Sequence, residues 1–482
     1  MSRQAAAIGL LALALTSCGL RVDPALRAQG IRGATGVGTG AQAQGAVAQQ
    51  GQQPGAVVPG GVGPSSGLVV GGSQGGVTQP TGPVATTGPA VPPPAGGNGG
   101  ATDIGVTASS VTFGSVATLS GPVPGLFQGA VYGARAYFAY QNSLGGVYGR
   151  QIQLTAADDE LNCGTNKARH LDLAPKVFAF ASSLSLYDYC SDPLFRDNKQ
   201  LADVSLAFSA STGGLPNNFS INPLVPGYRL GSLLYYKSKF PQAVKHMATL
   251  YGNVGAAPQI WANVRTAAES VGYHVDYERG YTAGESDFTT DIVQMRQKGV
   301  QMLYFISADV PTIVHVLQAA NQQQWHPALI AVGAGDAIYD PAFITTAGSL
   351  ANGVYGDQGS ALFFNPEDAR VIPGVALYQQ WMTKIGESAH EDLYSAWGWG
   401  QALLAVQALK ATGPRLTRPA FLTALKGIHE FDAGGMFART DPASKSPQTC
   451  YVILRVDNQR FHRLDTPGDR FRCDAPYFYA KS

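Results

Sequence analysis

Between Asp103 and Ser482, short apolar runs alternate with segments whose apolar residues recur at helical spacing. Val111–Val116 is apolar and rich in β-branched residues, which predicts a strand. Phe127–Gln141 carries Ala130, Val131, Ala134, Tyr137 and Phe138 on one helical face, and Gly145-Gly146 stops it. The same alternation continues with a strand at Gln151–Thr155, a helix at Thr165–Leu173, a strand at Val177–Ala181, a short helix at Pro193–Asn198, a strand at Val204–Phe208 and a helix at Gly227–Lys239. A second series follows. Strands are expected at Val244–Tyr251, Tyr273–Arg279, Val300–Ile306 and Ala328–Val332, with helices at Gln259–Ser270, Asp287–Lys298 and Pro311–Gln323. Two such series predict an α/β fold of two doubly wound open parallel sheets with helices on both faces. Beyond them the pattern changes to long helices at Glu367–Ile385 and Leu393–Ala411, a shorter one at Pro419–Lys426, and a hairpin with arms Cys450–Val456 and Arg460–Leu464.

The first hundred residues read differently. Residues 1–17 carry one basic residue, Arg3, then the apolar run Ala5–Leu15, which fits a secretory signal peptide rather than a spanning helix. From about Leu20 to Thr102 the chain is mostly Gly, Ala, Gln, Pro, Val, Ser and Thr. The stretch Gly33–Thr102 holds no charged and no aromatic residue. Such a segment cannot offset the entropy of ordering and is expected to be a disordered tether of roughly 50 Å mean span. The chain of 482 residues as a whole is balanced in charge, with 33 Lys+Arg against 32 Asp+Glu. That balance lacks the basic excess of a nucleic-acid binder.

Several segments carry a resemblance to known proteins. Leu15-Thr16-Ser17-Cys18 resembles the lipobox of bacterial lipoproteins, which implies that Cys18 is acylated and anchors the chain to the outer face of the plasma membrane. Thr118-Leu119-Ser120-Gly121-Pro122, Leu144-Gly145-Gly146-Val147-Tyr148-Gly149-Arg150, the acidic pair Asp158-Asp159 with Cys163 beyond it, and Tyr281–Phe288 occur in the order found in another family. Together they resemble the type I periplasmic-type solute-binding proteins of ABC transporters, the branched-chain amino-acid (Leu/Ile/Val) binding group. The resemblance implies a bilobal fold with three crossovers near Pro223–Pro241, Gly353–Gly359 and Phe431–Phe437, and a ligand between the lobes. Lobe 1 is then expected over residues 103–224 and 358–432, and lobe 2 over 225–357 and 433–482, after an anchor and tether at 18–102.

With Cys18 assigned to lipid, Cys163, Cys190, Cys450 and Cys473 remain, and four cysteines allow three pairings. The two-lobe layout favours Cys163–Cys190 and Cys450–Cys473, because each pair is then local and lies within one lobe. The first resembles a disulfide of the family that joins the same two loops. No CxxC or Cys/His cluster has metal spacing, so no metal is expected.

Ligands of open α/β sheets sit beyond the carboxyl ends of the strands. The residues in those positions are Ser120, Leu126 and Phe127 after the first strand, Ser183, Ser185 and Tyr187 after the third, and Ser209, Ala210 and Ser211 after the fourth. In the family the equivalents of Ser183, Ser185, Ala210 and Ser211 hold a ligand carboxylate. On the other lobe Asp309 stands near the family's aromatic position, and Asp336 near the glutamate that takes the ligand ammonium. Tyr339 and Trp397 are further candidates for the cleft, with core packing the favoured role for Trp397. The resemblance implies a monomeric extracytoplasmic lipoprotein without a cofactor. It would capture a small polar solute, an amino acid or related amide or carboxylate, and deliver it to an ABC permease. A sensor working through a membrane partner, or a tethered hydrolase, is the alternative. The sequence has no HExxH, no Gly-x-Ser-x-Gly elbow after an expected strand and no P-loop.

Overall fold

The computed structural model describes residues 91–333, 337–361, 366–464 and 471–480. The signal peptide, Cys18 and most of the tether lie outside the described residues. Order begins before Asp103. Val91 bridges Val147, and the buried guanidinium of Arg150 donates to the carbonyls of Asn98 (2.7 Å), Gly100 (2.9 Å), Thr107 (2.7 Å) and Pro414 (2.8 Å). A buried arginine needs its donors satisfied, and the last residues of the expected tether supply two of the acceptors.

The first lobe is built from β1 (Ser110–Ala117), α1 (Gln128–Ser143), β2 (Gln151–Asp158), α2 (Cys163–Leu173), β3 (Ala179–Ala181), α3 (Asp192–Asp197), β4 (Asp203–Val204) and α4 (Ala210–Gly213). Its sheet is parallel throughout, in the order β2-β1-β3-β4. The expected strand Val204–Phe208 pairs over its first residue only, because the amides of Phe208 and Ser209 turn away to the Asp188 carboxylate at 2.6 and 3.0 Å. Next comes β5 (Gly227–Arg229), then α5 (Gly231–Lys239). The expected helix therefore starts four residues late. Gly227 sits at φ +135 against the backbone of Phe478, a contact that helical periodicity does not reveal.

The second sheet contains β6 (Met247–Gly252), β7 (Val275–Tyr281), β8 (Met302–Ile306), β9 (Leu329–Gly333) and β10 (Val354–Gln358). Between them run α6 (Ala257–Ser270), α7 (Thr289–Gln297), α8 (Val310–Gln322) and α9 (Pro341–Ala347). The sequence pattern did not reveal β10, since Gly356, Asp357 and Gln358 break its apolar run, although all three are buried. The chain then adds α10 (Pro366–Val371), α11 (Pro373–Lys384), α12 (Leu393–Thr412) and α13 (Arg418–Leu425). The single long helix expected at Glu367–Ile385 is broken at Ile372, before a proline that occupies the first turn of the next helix. Helices α11 and α12 pack on α1, where Gly133 and Gly398 let the α1 and α12 backbones touch; a Cβ on Gly398 would lie 2.0 Å from the Ala130 carbonyl. Last come β11 (Val452–Asp457), β12 (Arg460–Leu464) and β13 (Tyr477–Tyr479). The second sheet runs β12-β11-β10-β9-β8-β6-β7 and is mixed: β11 and β12 join antiparallel at its edge, and β13 pairs with β5.

Three connections join the two sheets. The second and third run side by side, with Ser360 bridged to Phe437, Ala361 N donating to Met436 O at 2.8 Å, and Ala438 N to Gly359 O at 2.9 Å. The first is tied to the second by a buried ion pair. Arg229 donates from Nε to Asp357 Oδ2 at 3.1 Å, from Nη2 to the same oxygen, and from Nη2 to the Asp357 carbonyl at 2.9 Å. Two disulfides, Cys163–Cys190 and Cys450–Cys473, close 27- and 23-residue separations.

Replacing both Cys163 and Cys190 by serine should lower unfolding stability by about 3 kcal/mol in denaturant titrations, because the freed loop regains its entropy in the unfolded chain. Arg229→Met should cost about 3–5 kcal/mol, since it strands a buried carboxylate. The double variant Arg229→Met/Asp357→Leu should recover much of that loss. Equal losses in the single and double variants would show that the pair has no coupling.

Candidate functional site

The carboxyl ends of both sheets face each other, and loop geometry there is set by the acidic pair. Asp158, at the end of β2, accepts from the amides of Leu119 (2.9 Å), Ser120 (3.2 Å) and Glu160 (2.9 Å) and from the Ser120 hydroxyl. Burial alone would raise this carboxyl, but the bonds from Ser120, Glu160 and Leu119 hold it below its ordinary range. Asp159 has a separate set of partners: Thr118 Oγ1 (2.7 Å), Leu161 N (3.0 Å), Asn166 Nδ2 (3.0 Å) and the Ser185 hydroxyl. The pair thus fixes the loops after β1, β2 and β3. The Cys163–Cys190 bond clamps the last two loops from the side.

These loops wall a cavity that is open to solvent and measures about 600 Å³ with its open mouth included. From the first lobe come Leu126 and Phe127 after β1, Leu161 after β2, Leu186 after β3 and Phe208 after β4. The second lobe contributes Val254 after β6, Tyr281 and Ala283 at the end of β7, and Ser307, Ala308 and Asp309 after β8. Tyr394 and Trp397 of α12 complete it. Four of the aromatic rings form one continuous set. Phe127 stacks on Phe208 at 5.4 Å and meets the edge of Tyr394 at 5.0 Å, and Tyr394 meets Trp397 at 5.6 Å. Such a surface favours an apolar or aromatic body over a compact polar one.

The structure distributes the sequence-derived residues among several places. Leu126, Phe127 and Asp309 line the interlobe cavity. Asp309 also caps α8, accepting from Thr312 N at 2.9 Å. Ser183 and Ser185 are buried within the first lobe. Ser183 Oγ accepts from Val116 N at 3.1 Å, and Ser185 Oγ donates to Asp159 and accepts from Tyr187 N at 3.0 Å. Both line a small interior cavity shared with His170, Asp188 and Asp203. Burial drives His170 down to about 4 and Asp188 up to about 6. Ser209 caps α4 and Ser211 is exposed beside it. Ala210 lines a second cavity nearer the crossovers. Ser120 is exposed and held by Asp158, and Tyr187 is half-buried against Tyr189. Asp336 lies outside the described residues. Tyr339 is fully buried on Phe461 at 4.9 Å, whereas Trp397 lines the cavity, the reverse of the expectation for this pair. Phe208 and Tyr394 were missed, and Trp397 was named but ranked behind a core role. A legible signal existed for the last two, an i, i+3 aromatic pair in the first turns of a helix capped by Asp392.

At one mouth of the cavity the charge is acidic. Asp309, Asp340 and Asp392 line an adjoining recess with Tyr394 and His315. Burial pushes Asp392 up to about 7, reinforced by Asp340, and burial likewise raises Asp340 itself. Among the described residues no group of three or more His, Cys, Asp or Glu side chains is placed to hold a metal ion, and no helix is long and apolar enough to cross a membrane.

The fold has many solved relatives. The chain is similar to the fatty acid ABC transporter substrate-binding protein from Thermomonospora curvata, at 16% identity and TM-score 0.65 over 81% of this chain and 97% of that one. It is similar to a branched-chain amino acid ABC transporter protein from Thermus thermophilus with bound valine, at 18% identity and TM-score 0.63 over 74% and 96%. A solute binding protein from R. palustris in complex with 4-hydroxybenzoate matches at 17% identity and TM-score 0.61 over 76% and 98%. No curated protein sequence matches the chain. The Periplasmic binding protein family model matches residues 110–460. With two lobes, three connections and a cavity walled by the strand tips of both sheets, the chain has the type I fold and belongs to the periplasmic binding proteins, an extracytoplasmic family of small-ligand binders.

Proposed function

We propose that this chain captures a small solute with an apolar or aromatic body, an amino acid or a related amide or carboxylate, and hands it unchanged to an ABC permease. The observation that carries this reading is the composition of the interlobe cavity: four strand-tip loops from one sheet and three from the other contribute mostly apolar or aromatic walls around one space. A ligand in that space touches both lobes only when they are closed, so binding shifts the population toward the closed state. The names of the structural relatives, with valine, 4-hydroxybenzoate and fatty acid among their ligands, support a solute whose bulk is apolar. The lipobox-like Leu15-Thr16-Ser17-Cys18 supports attachment to the outer face of the plasma membrane, with the Gly/Pro-rich segment as spacer.

A thermal-shift screen of the full chain against amino acids, amides, small aromatic and aliphatic carboxylates and sugars tests the reading. A true ligand at 100 times its dissociation constant should stabilise by about 2.7 kcal/mol. Small-angle scattering should show compaction on adding it. A solute that binds tightly but is recovered chemically altered would sink the proposal. Val254→Trp, which fills the cavity from the second lobe at a half-buried position, should weaken ligand binding at least about tenfold, the cost of roughly one clash-sized loss of fit, and leave the unliganded melting temperature within a few degrees.

A further inference from the structure

A second cavity lies on the crossover side of the first. It measures about 1110 Å³ with its open mouth, and all three connections line it: Leu224 and Tyr228 of the first, Gln358 and Gly359 of the second, Phe437 and Gln448 of the third. Most of its wall is apolar. Phe208 and Trp397 line both this cavity and the interlobe cavity, so the same two rings stand between the two spaces. Both are only half-buried, so neither is locked in the core.

One lining residue carries an unmet hydrogen-bonding capacity. Gln358 is 2% exposed. Its Nε2 donates to Ser360 Oγ at 2.9 Å and to the carbonyls of Ser360 and Ala361 at 3.3 Å each. Two carbonyl oxygens can only accept, which fixes the nitrogen on that side and leaves Oε1 on the other. Among the described residues no donor reaches Oε1. A buried amide oxygen without a donor is costly, and an N–H or O–H brought by a ligand would satisfy it.

We propose that the hinge cavity is an inner extension of the solute site, so that the ligand is an elongated apolar molecule that passes the Phe208–Trp397 wall and ends in a hydroxyl or amide donor bonded to Gln358. This rests on the interlobe cavity being the solute site. It narrows the ligand class from any small apolar solute to one with length and an inner donor. Arg229 also lines the chamber but is held by Asp357, so the inner end is recognised as a neutral donor rather than as an anion.

Calorimetric titration of the full chain with linear 1-alkanols from butanol to octanol, and with the matching methyl ethers, tests the proposal. Affinity should rise about fourfold per added methylene along the whole alcohol series. The longest ether should bind about fivefold more weakly than its alcohol, the loss of one neutral hydrogen bond. Gln358→Leu should abolish that difference. Ile260→Trp, at a half-buried position lining only the hinge cavity, should flatten the series for the longer alcohols and spare butanol; Asn263→Trp does the same from the next turn of α6 should the first variant fold poorly. The proposal is overturned by a wild-type series that levels off at its short members, by ether affinity equal to alcohol affinity, by equal loss for every alcohol in both tryptophan variants, or by no binding at all. Levelling at short members that still drive compaction would leave the interlobe site standing and remove only its extension. A full series without compaction would instead count against closure around the solute.

Discussion

The buried contact between Arg229 and Asp357 is the constraint on which the two-lobed arrangement depends. It fastens the first crossover, which pairs with β13, to the end of β10, where the second crossover begins. The second and third crossovers are already bound to each other through Ser360 and Phe437. Three chain segments thus act as one hinge, and the carboxyl ends of two separate sheets are held opposite each other. A buried ion pair is weak as a source of net stability but severe when broken, which suits a joint whose geometry must not drift.

From that hinge the rest of the site follows. The strand tips meet across a gap, and each loop must present its side chains while keeping its own backbone satisfied. Asp158 and Asp159 do the second task. Between them they accept from the loops after β1, β2 and β3, and the nearby disulfide restrains the latter two. With the polar groups of these loops spent on the scaffold, the first lobe's side of the gap is left to Leu126, Phe127, Leu161, Leu186, Phe208, Tyr394 and Trp397. Ser183 and Ser185 illustrate the division. They follow β3 as strand-tip serines should, yet their hydroxyls serve a backbone amide and a carboxylate inside the lobe.

Elements whose signal is local were legible. The parallel strands of the second sheet are runs such as Met302–Ile306, buried on both faces, and their hydrophobicity needs no partner to be visible. Helices such as Leu393–Thr412 carry their own cap and apolar positions. The disulfide pairs were legible too, once two lobes were assumed. What failed was anything set by a distant partner. Gly227–Arg229 is a strand because Tyr477–Tyr479 lies beside it, and Val354–Gln358 is a strand although its buried Asp357 reads as surface.

By itself the sequence determined the class of fold, the succession of βα units and the family resemblance. These depend on periodicity, composition and short motifs, which are properties of neighbouring residues. Only the tertiary structure decided which strand-tip residues face the interlobe cavity. Side-chain direction at a loop is fixed by which hydrogen bonds the backbone must satisfy across the fold, and those partners come from chain segments tens to hundreds of residues away.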